Sequence, residues 1–352
     1  MNSSEAAAAS GAAGDFKAKL ASYRDLVLPT LLAVLPQREP RRQLYDLIAA
    51  HMSRAGKGLR PALCIATCRA FGGKSEDALK SAAALELLHN AFLVHDDIED
   101  GSEYRRDRPT LHLEHGVPLA VNTGDAMNAL SLRLLKENQP LLGPERTWLV
   151  LQEFDHMLVE SLEGQAMELG WVRDNDCTVT EEDYLLMTLK KTCWYSFIHP
   201  CRIGALIARG DSVDLDRFNR FGFLMGTAFQ IQDDVLNLVG DVRKYGKEIA
   251  GDLWEGKRTL ILAHAFSRLT GPETARLRAL LSKPRHQKLQ REIEWSLRLL
   301  RSKGSIDYAR EASHDLIAGA MLEFEAAYGD APESEEKDFI RQCVKYMVAR
   351  DL

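Results

Sequence analysis

Two short acidic motifs, each closing an apolar helical run, are the residues of this chain best suited to chemistry. The first is Asp96-Asp97-Ile98-Glu99-Asp100 and the second Gln230-Ile231-Gln232-Asp233-Asp234-Val235-Leu236-Asn237. Residues four apart share a helix face, so Asp96 points with Asp100 and Asp233 with Asn237. Carboxylates at that spacing lie roughly 5–6 Å apart. At an effective dielectric of about 20, two such charges repel by about 3 kcal/mol. They call for a counter-charge, and hard divalent cations such as magnesium take oxygen ligands presented in this way. One Asp-Asp-x-x-Asp alone is as readily a solvated helix face; the second copy, again after apolar residues, decides for metal binding.

Two magnesium-type clusters imply a phosphorylated substrate, because magnesium commonly bridges carboxylate and phosphate oxygens. A polyanion also needs fixed cations. Gly56-Lys57-Gly58-Leu59-Arg60-Pro61 sets Lys57 and Arg60 at a helix start, where backbone N–H groups favour anions; the spacing is not that of a P-loop. Arg105 and Arg106 follow the first acid motif closely, and Lys190-Lys191-Thr192, Lys247 and Lys257 supply further charge. Any one of these alone reads as a solvated surface cation. Their common placement beside the acid motifs is what points to a site. His89 lies two turns before Asp96 on nearly the same face, either as a core histidine or as a phosphate donor. Gln230, three residues before Asp233, can reach the same cavity.

The elements that must position these groups are helical almost throughout. Helices are expected over 16–35, 41–54, 57–71, 75–100, 117–138, 144–169, 181–208, 214–239, 259–269, 287–303, 305–328 and 334–350. Leu85, Leu88, Phe92 and Leu93 read as an apolar stripe running into Asp96, and Thr180-Glu181-Glu182-Asp183 as a capping box. No Pro/Gly/Ser linker interrupts the interior. The expected architecture is all-α: residues 1–14 a disordered, Ala/Ser/Gly-rich tail without signal-peptide character, and 15–352 one large antiparallel helical bundle.

Across 352 residues, 45% hydrophobic content is ample for a core, and a net charge of −6 argues against a nucleic-acid partner. No apolar run reaches the about 18 residues of a membrane span. The six cysteines contain no Cys-x-x-Cys pair, which argues against a zinc knuckle or thioredoxin-type site and fits the cytoplasm.

In this order the motifs resemble those of the trans-isoprenyl diphosphate synthases, or polyprenyl synthetases. The resemblance rests on Gly56-Lys57-Gly58-Leu59-Arg60, Asp96-Asp97-Ile98-Glu99-Asp100, Arg105-Arg106 with Arg108-Pro109-Thr110, Lys191-Thr192, Phe229-Gln230-Ile231-Gln232-Asp233-Asp234, and the Gly-Lys elements at Lys247 and Lys257. It spans roughly residue 40 to the C-terminus. It implies a helical fold with a central active-site cavity and head-to-tail condensation of isopentenyl diphosphate with an allylic diphosphate. It further implies Asp96, Asp100 and Asp233 as ligands of magnesium, three ions with diphosphate bound, assisted by Asp97, Asp234 and Asn237. Arg105, Lys191, Thr192, Gln230, Lys247 and Lys257 would bind the allylic diphosphate, and Lys57, Arg60, His89 and Arg106 isopentenyl diphosphate. A homodimer is implied as well. Asn237 departs from the family's Asp-Asp-x-x-Asp, as geranylgeranyl-type members do.

The fifth residue before the first aspartate, which often limits chain length when aromatic, is here Ala91; this resembles longer-product members. Phe92 either floors the hydrocarbon cavity or is an ordinary core aromatic, and Gly222 and Gly226 are expected to leave room for a prenyl tail. The expected product is geranylgeranyl diphosphate. Two rivals are a terpene cyclase on the same scaffold, with Trp194 and Tyr195 as cation-stabilising rings, and a non-catalytic subunit. Lys57, Arg60, His89 and Arg106 argue against the first, and two intact acid motifs against the second.

Overall fold

The structure, a computed structural model, describes residues 3–54, 56–240 and 249–347, with side chains from residue 14. Helices carry nearly all of it, and the only strands among the described residues are a two-residue pair. Contacts group the chain into two compact units, one of residues 1–155, 198–218 and 326–343, the other of residues 156–197, 219–325 and 344–352.

In the first unit, α1 (Ser3–Ala33) reaches back into the stretch expected as a tail. It is followed by α2 (Asp46–Met52), α3 (Leu59–Ala70) and α4 (Ser75–Glu99). A hairpin of β1 (Tyr104–Arg105) and β2 (Arg108–Pro109) leads to α5 (Leu111–His115), α6 (Val117–Lys136) and α7 (Gln139–Leu142). The long α8 (Pro144–Arg173) begins here.

Helix α4 is not the one-sided helix expected. Ala82, Ala83, Ala84, Leu85, Leu87, Leu88, Ala91 and Val94 are all buried, which places apolar residues around the whole circumference. Neighbours on several sides account for it: α1, α3, α6 and α10 (His199–Arg209) all pack on α4. A helix apolar all round belongs inside a core, and its ends are the natural place for its polar residues. Small residues make the tightest of the other contacts. A Cβ on Gly204 of α10 would lie 2.3 Å from the Cys64 carbonyl oxygen of α3, so only glycine lets these backbones meet.

The second unit opens with the rest of α8, then α9 (Glu181–Thr188), whose N-terminus carries the expected capping box. Thr180 Oγ1 accepts from the Asp183 N–H at 3.1 Å, and the Thr180 N–H donates to Asp183 Oδ2 at 2.9 Å. Where one helix is expected from 181 to 208, residues Leu189–Ile198 form a π-helix. A π-helix bonds i→i+5 and turns more widely than an α-helix, but a segment this short inside a helical run is too brief for periodicity to reveal it. Helix α11 (Arg217–Val239) follows, then helices at Gly251–Glu255, Leu260–Phe266, Gly271–Leu281, Gln290–Ser302 and Ser305–Tyr328, while most of the last helix, Glu335–Tyr346, belongs to the first unit. Ile231, Val235 and Leu238 of α11 join Tyr184, Leu253, Ile261, Leu277, Leu281 and Leu300 in the second unit's core.

Candidate active site

Each acid motif closes a helix, and each is described within its own unit. In the first unit Asp96 and Asp97 lie in the last turn of α4 and Asp100 is its C-cap. Carboxylates there face the negative end of the helix dipole. The helix therefore adds to their mutual repulsion, and a cation is the natural remedy. Asp96 and Asp100 are half-buried and Asp97 is buried. Asp97 is committed to protein: Arg105 Nε donates to its two oxygens at 2.7 and 2.8 Å, and Arg105 Nη2 lies 2.6 Å from Oδ1. Burial works against the Arg105 cation, but the hydrogen bond and charge of Asp97 outweigh it and raise its pKa.

The same unit carries Lys57, Arg60 and Arg106. Gly58 is the N-cap of α3 with φ +66°, which only glycine adopts at little cost, and it sets Lys57 just ahead of the helix and Arg60 in its first turn. Arg106 donates to the Arg54 carbonyl oxygen at 2.8 Å. The carboxyl of Glu86, on α4, has its pKa raised by burial against the lowering effect of Arg60 and Arg106. Two histidines share this cationic surrounding. Burial, then Arg106, Arg54 and Arg105, depress His51 to about 3; burial, then Arg60, Arg106 and Arg105, hold His89 well below 6.5. His89 is therefore neutral at physiological pH and can donate to an arriving phosphate from one ring nitrogen.

The folded protein keeps His51 neutral, while the unfolded chain takes up its proton below pH 6.5. Stability is thus full above about 6.5 and falls as pH drops toward 3, with His51 alone accounting for about 2 kcal/mol at pH 5. Neither ring nitrogen of buried His51 has a hydrogen-bond partner among the described residues. His51→Leu is therefore expected to flatten the fall in urea midpoint between pH 7.5 and 5. An identical slope in wild type and variant would show that the ring does not titrate in this way.

In the second unit Asp233, Asp234 and Asn237 lie toward the C-terminal end of α11. Asp233 is half-buried; Asp234 and Asn237 are buried. Asp234, like Asp97, is held by protein donors: Tyr184 Oη at 2.8 Å and Gln230 Nε2 at 2.8 Å. Gln230 Oε1 in turn accepts from Thr192 Oγ1 at 3.0 Å. The line Thr192–Gln230–Asp234–Tyr184 fixes the first turn of the acid motif. Burial pushes the Asp234 carboxyl up to about 7 against the pull of its two donors. Asn237 accepts the Asp252 N–H at 3.1 Å through Oδ1 and so pins the start of the helix at Gly251–Glu255.

Lys191 stands in the π-helix and is ion-paired with Glu168 of α8, whereas its neighbour Lys190 pairs with Glu160 and Glu163 at 3.0 and 2.6 Å. The approach of α8 to this segment depends on Gly164, where a Cβ would lie 2.3 Å from the Lys191 backbone nitrogen. Lys257 pairs with Glu255 at 3.0 Å. Its loop is fixed by buried Arg258, which donates to the Asp176 carbonyl oxygen and Asn175 Oδ1 at 2.5 and 2.7 Å. Lys247 lies outside the described residues.

Sequence reasoning did not find Glu168, Tyr184 or Arg54, since each acts through a neighbour distant in the chain. The signal available for Glu168 was its position one turn after Gly164. One expectation is corrected. Gly226 does not open space for a prenyl tail: a Cβ there would meet Cys193 Sγ at 2.7 Å and Cys193 Cα at 3.0 Å. The glycine serves to bring α11 against the π-helix. Ala91 is fully buried and Phe92 half-buried.

The donor sets fit magnesium. No group of three His, Cys, Asp or Glu side chains forms a closed cage among the described residues, and magnesium does not ask for one. It takes one or two carboxylates and completes its shell with water and substrate phosphate. Tyr184→Phe removes only the hydroxyl that holds Asp234, and losing a hydrogen bond to a charged group predicts about a tenfold fall in kcat/KM. Unchanged kinetics would show that Gln230 alone holds the carboxylate.

The sequence profile of the polyprenyl synthetase family matches residues 41–299. A geranylgeranyl pyrophosphate synthase of Geoglobus acetivorans is 32% identical over 93% of this chain and 96% of its own. A geranylgeranyl diphosphate synthase of Saccharolobus solfataricus is 34% identical over 72% and 75%. The crystal structure of geranylgeranyl pyrophosphate synthetase from Pyrococcus horikoshii superposes with a TM-score of 0.84 at 30% identity, covering 95% of this chain and 98% of that one. A polyprenyl synthase from Caulobacter crescentus, solved with calcium and isoprenyl diphosphate, is 25% identical with a TM-score of 0.80, covering 95% of each chain. Acid motifs at two helix ends, cations beside them and these matches lead to one conclusion: the chain belongs to the polyprenyl synthetase family, an all-α prenyltransferase.

Proposed function

We propose that this protein condenses isopentenyl diphosphate head-to-tail with an allylic diphosphate and that its main product is geranylgeranyl diphosphate. The observation that carries the reading is that each acid motif is tied to a basic segment of its own unit: Asp97 to Arg105 in the first, and Asp234 through Gln230 to Thr192, beside Lys191, in the second. Asp96, Asp100 and Asp233 would hold magnesium, three ions once diphosphate is bound, and the metal would stabilise the charge that grows on the leaving diphosphate. The other groups act for themselves. Arg105, steadied by Asp97, binds the allylic diphosphate with Lys191, Thr192, Gln230, Lys247 and Lys257. Lys191 exchanges Glu168 for a phosphate oxygen, a charge-assisted contact that strengthens as the C–O bond ionises. Lys57, Arg60, neutral His89 and Arg106 hold isopentenyl diphosphate so that its double bond attacks the allylic cation. The allylic C–O bond breaks first, its electron pair leaving with diphosphate; the double bond's π electrons then form the new C–C bond to the cation, and the proton lost from the adduct passes to that diphosphate. Asp234 and Asn237 keep the second motif in place.

The small, buried Ala91 and the relatives named geranylgeranyl synthases support the twenty-carbon product. If Phe92 floors the cavity, Phe92→Ala lengthens the product; an unchanged product spectrum would remove it from that role. Residues 15–352 are read as one catalytic domain. A homodimer is supported by exposed apolar side chains at Leu113, Val117, Leu119, Val121 and Trp148, to be checked by light scattering at micromolar concentration. Six unpaired thiols fit a reducing, cytoplasmic setting, and no helix among the described residues is long and apolar enough to cross a membrane. The deciding experiment is mass spectrometry of products formed from magnesium, isopentenyl diphosphate and each allylic primer in turn. A linear twenty-carbon diphosphate that disappears with chelator is expected. A hydrocarbon made from an allylic diphosphate alone would favour the cyclase instead.

A further inference from the structure

Arg54 belongs to none of the acid or basic motifs, yet it is only 8% exposed, and the two terminal nitrogens of its guanidinium tie segments together while its buried Nε has no hydrogen-bond partner among the described residues. Its Nη1 donates to the Pro109 carbonyl oxygen at 2.9 Å, and its Nη2 pairs with Glu114 Oε2 at 2.7 Å. Its own carbonyl oxygen accepts Arg106 Nη1 at 2.8 Å. The chain thus closes a ring, from the Arg54 backbone through Arg106 and the β1–β2 hairpin to Pro109, and back to the Arg54 side chain.

The hairpin needs such support. Tyr104 pairs with Pro109 and Arg105 with Arg108, leaving Arg106 and Asp107 as a two-residue turn with φ of +53° and +60°. A turn of this kind favours Asn, Asp or Gly at both positions. Asp107 suits it, but Arg106 does not, and a bulky residue in the left-handed region costs about 1–3 kcal/mol unless its surroundings hold it there. The Arg54 carbonyl is one constraint. Gly56 is the other: a Cβ there would come within 2.7 Å of Arg106 Nη2, so the guanidinium occupies the space that a side chain would take. The strained turn therefore aims Arg106 at the loop that carries Lys57.

We propose that Arg54 is a positioning residue for the isopentenyl diphosphate half of the site, locking the Gly56–Arg60 loop to the Arg105–Arg108 turn so that Lys57, Arg60 and Arg106 are presented together. This rests on the reading that those three cations and His89 bind that substrate. Arg54 itself touches no phosphate; it acts through Arg106 and through the backbone of both segments. A buried brace without this role would affect stability alone, whereas a positioning residue must discriminate between the two substrates.

The test varies each diphosphate at saturating concentration of the other, in the full chain with magnesium. Arg54→Ala is expected to raise KM for isopentenyl diphosphate by about tenfold, since small displacements of binding groups are costly, while KM for the allylic diphosphate stays within about twofold. Arg54→Lys, which has no fork to reach both Pro109 and Glu114, is expected to restore part of the loss. Glu114→Gln keeps the shape, loosens the fork and should give the same selectivity at smaller amplitude, so the question stays answerable if Arg54→Ala fails to fold. Lys57→Ala is the control for the underlying reading and must itself raise KM for isopentenyl diphosphate. If it does not, the assignment of that half of the site fails. If it does, while the Arg54 and Glu114 variants lower only the unfolding temperature or shift both KM values equally, Arg54 is a brace and the inference is overturned.

Discussion

Asp96→Ala is expected to lower kcat/KM by about three orders of magnitude, close to 4 kcal/mol of transition-state stabilisation, with the folded protein otherwise intact. Asp96 stands half-buried in the last turn of α4, at the end of the helix dipole that already disfavours negative charge. Its charge also supports buried Arg105, but less than that of Asp97, which holds the hydrogen bond, so the unfolding temperature in the absence of metal should fall far less than in an Asp97 variant while activity collapses. Asp97→Ala should weaken the fold itself. Asp97 and Arg105 are buried together, with side chains 3% and 13% exposed. Removing one partner strands the other cation, for about 3–5 kcal/mol of lost stability. Parallel thermal melts and steady-state kinetics separate the two adjacent aspartates. Equal losses of stability in both variants would refute this division between a metal-facing and a protein-facing carboxylate.

Gly164→Ala is the second substitution with a large expected effect, although it adds a single methyl group. The new Cβ would lie 2.3 Å from the Lys191 nitrogen and 2.8 Å from its Cα. These are backbone atoms of the π-helix and cannot swing aside as a side-chain tip can. Overpacking of this kind typically costs about 1–3 kcal/mol. Displacing Lys191 by about 1 Å predicts a further hundredfold loss in rate. The Lys191–Glu168 pair would part in the same movement. Gly170, on the same helix α8, has nothing within 4 Å of its added Cβ, so Gly170→Ala is the matched comparison and should leave kinetics unchanged. Similar rates for both variants would mean that α8 yields, and that the contact at Gly164 does not set the position of Lys191.

Fold class and the inventory of reactive groups are legible in the chain alone. Helical periodicity runs almost unbroken, and the acid and basic motifs are local strings whose spacing states their chemistry. The Thr180 capping box was legible for the same reason, because both partners lie within one turn. What each charge is paired with depends on packing between distant segments. Of two adjacent aspartates in each motif, packing turned Asp97 to Arg105 and Asp234 to Tyr184 and Gln230, while Asp96 and Asp233 remained half-buried. Of two adjacent lysines, the π-helix turned Lys190 toward Glu160 and Glu163 and Lys191 toward Glu168. The strained turn at Arg106 and its tie to Arg54, 52 residues away in the chain, were equally invisible, as was the packing purpose of Gly226. Periodicity and motif spacing report neighbours within a few residues. Which carboxylate meets a cation, and which glycine admits another backbone, is fixed by segments far apart in sequence that only the folded chain brings into contact.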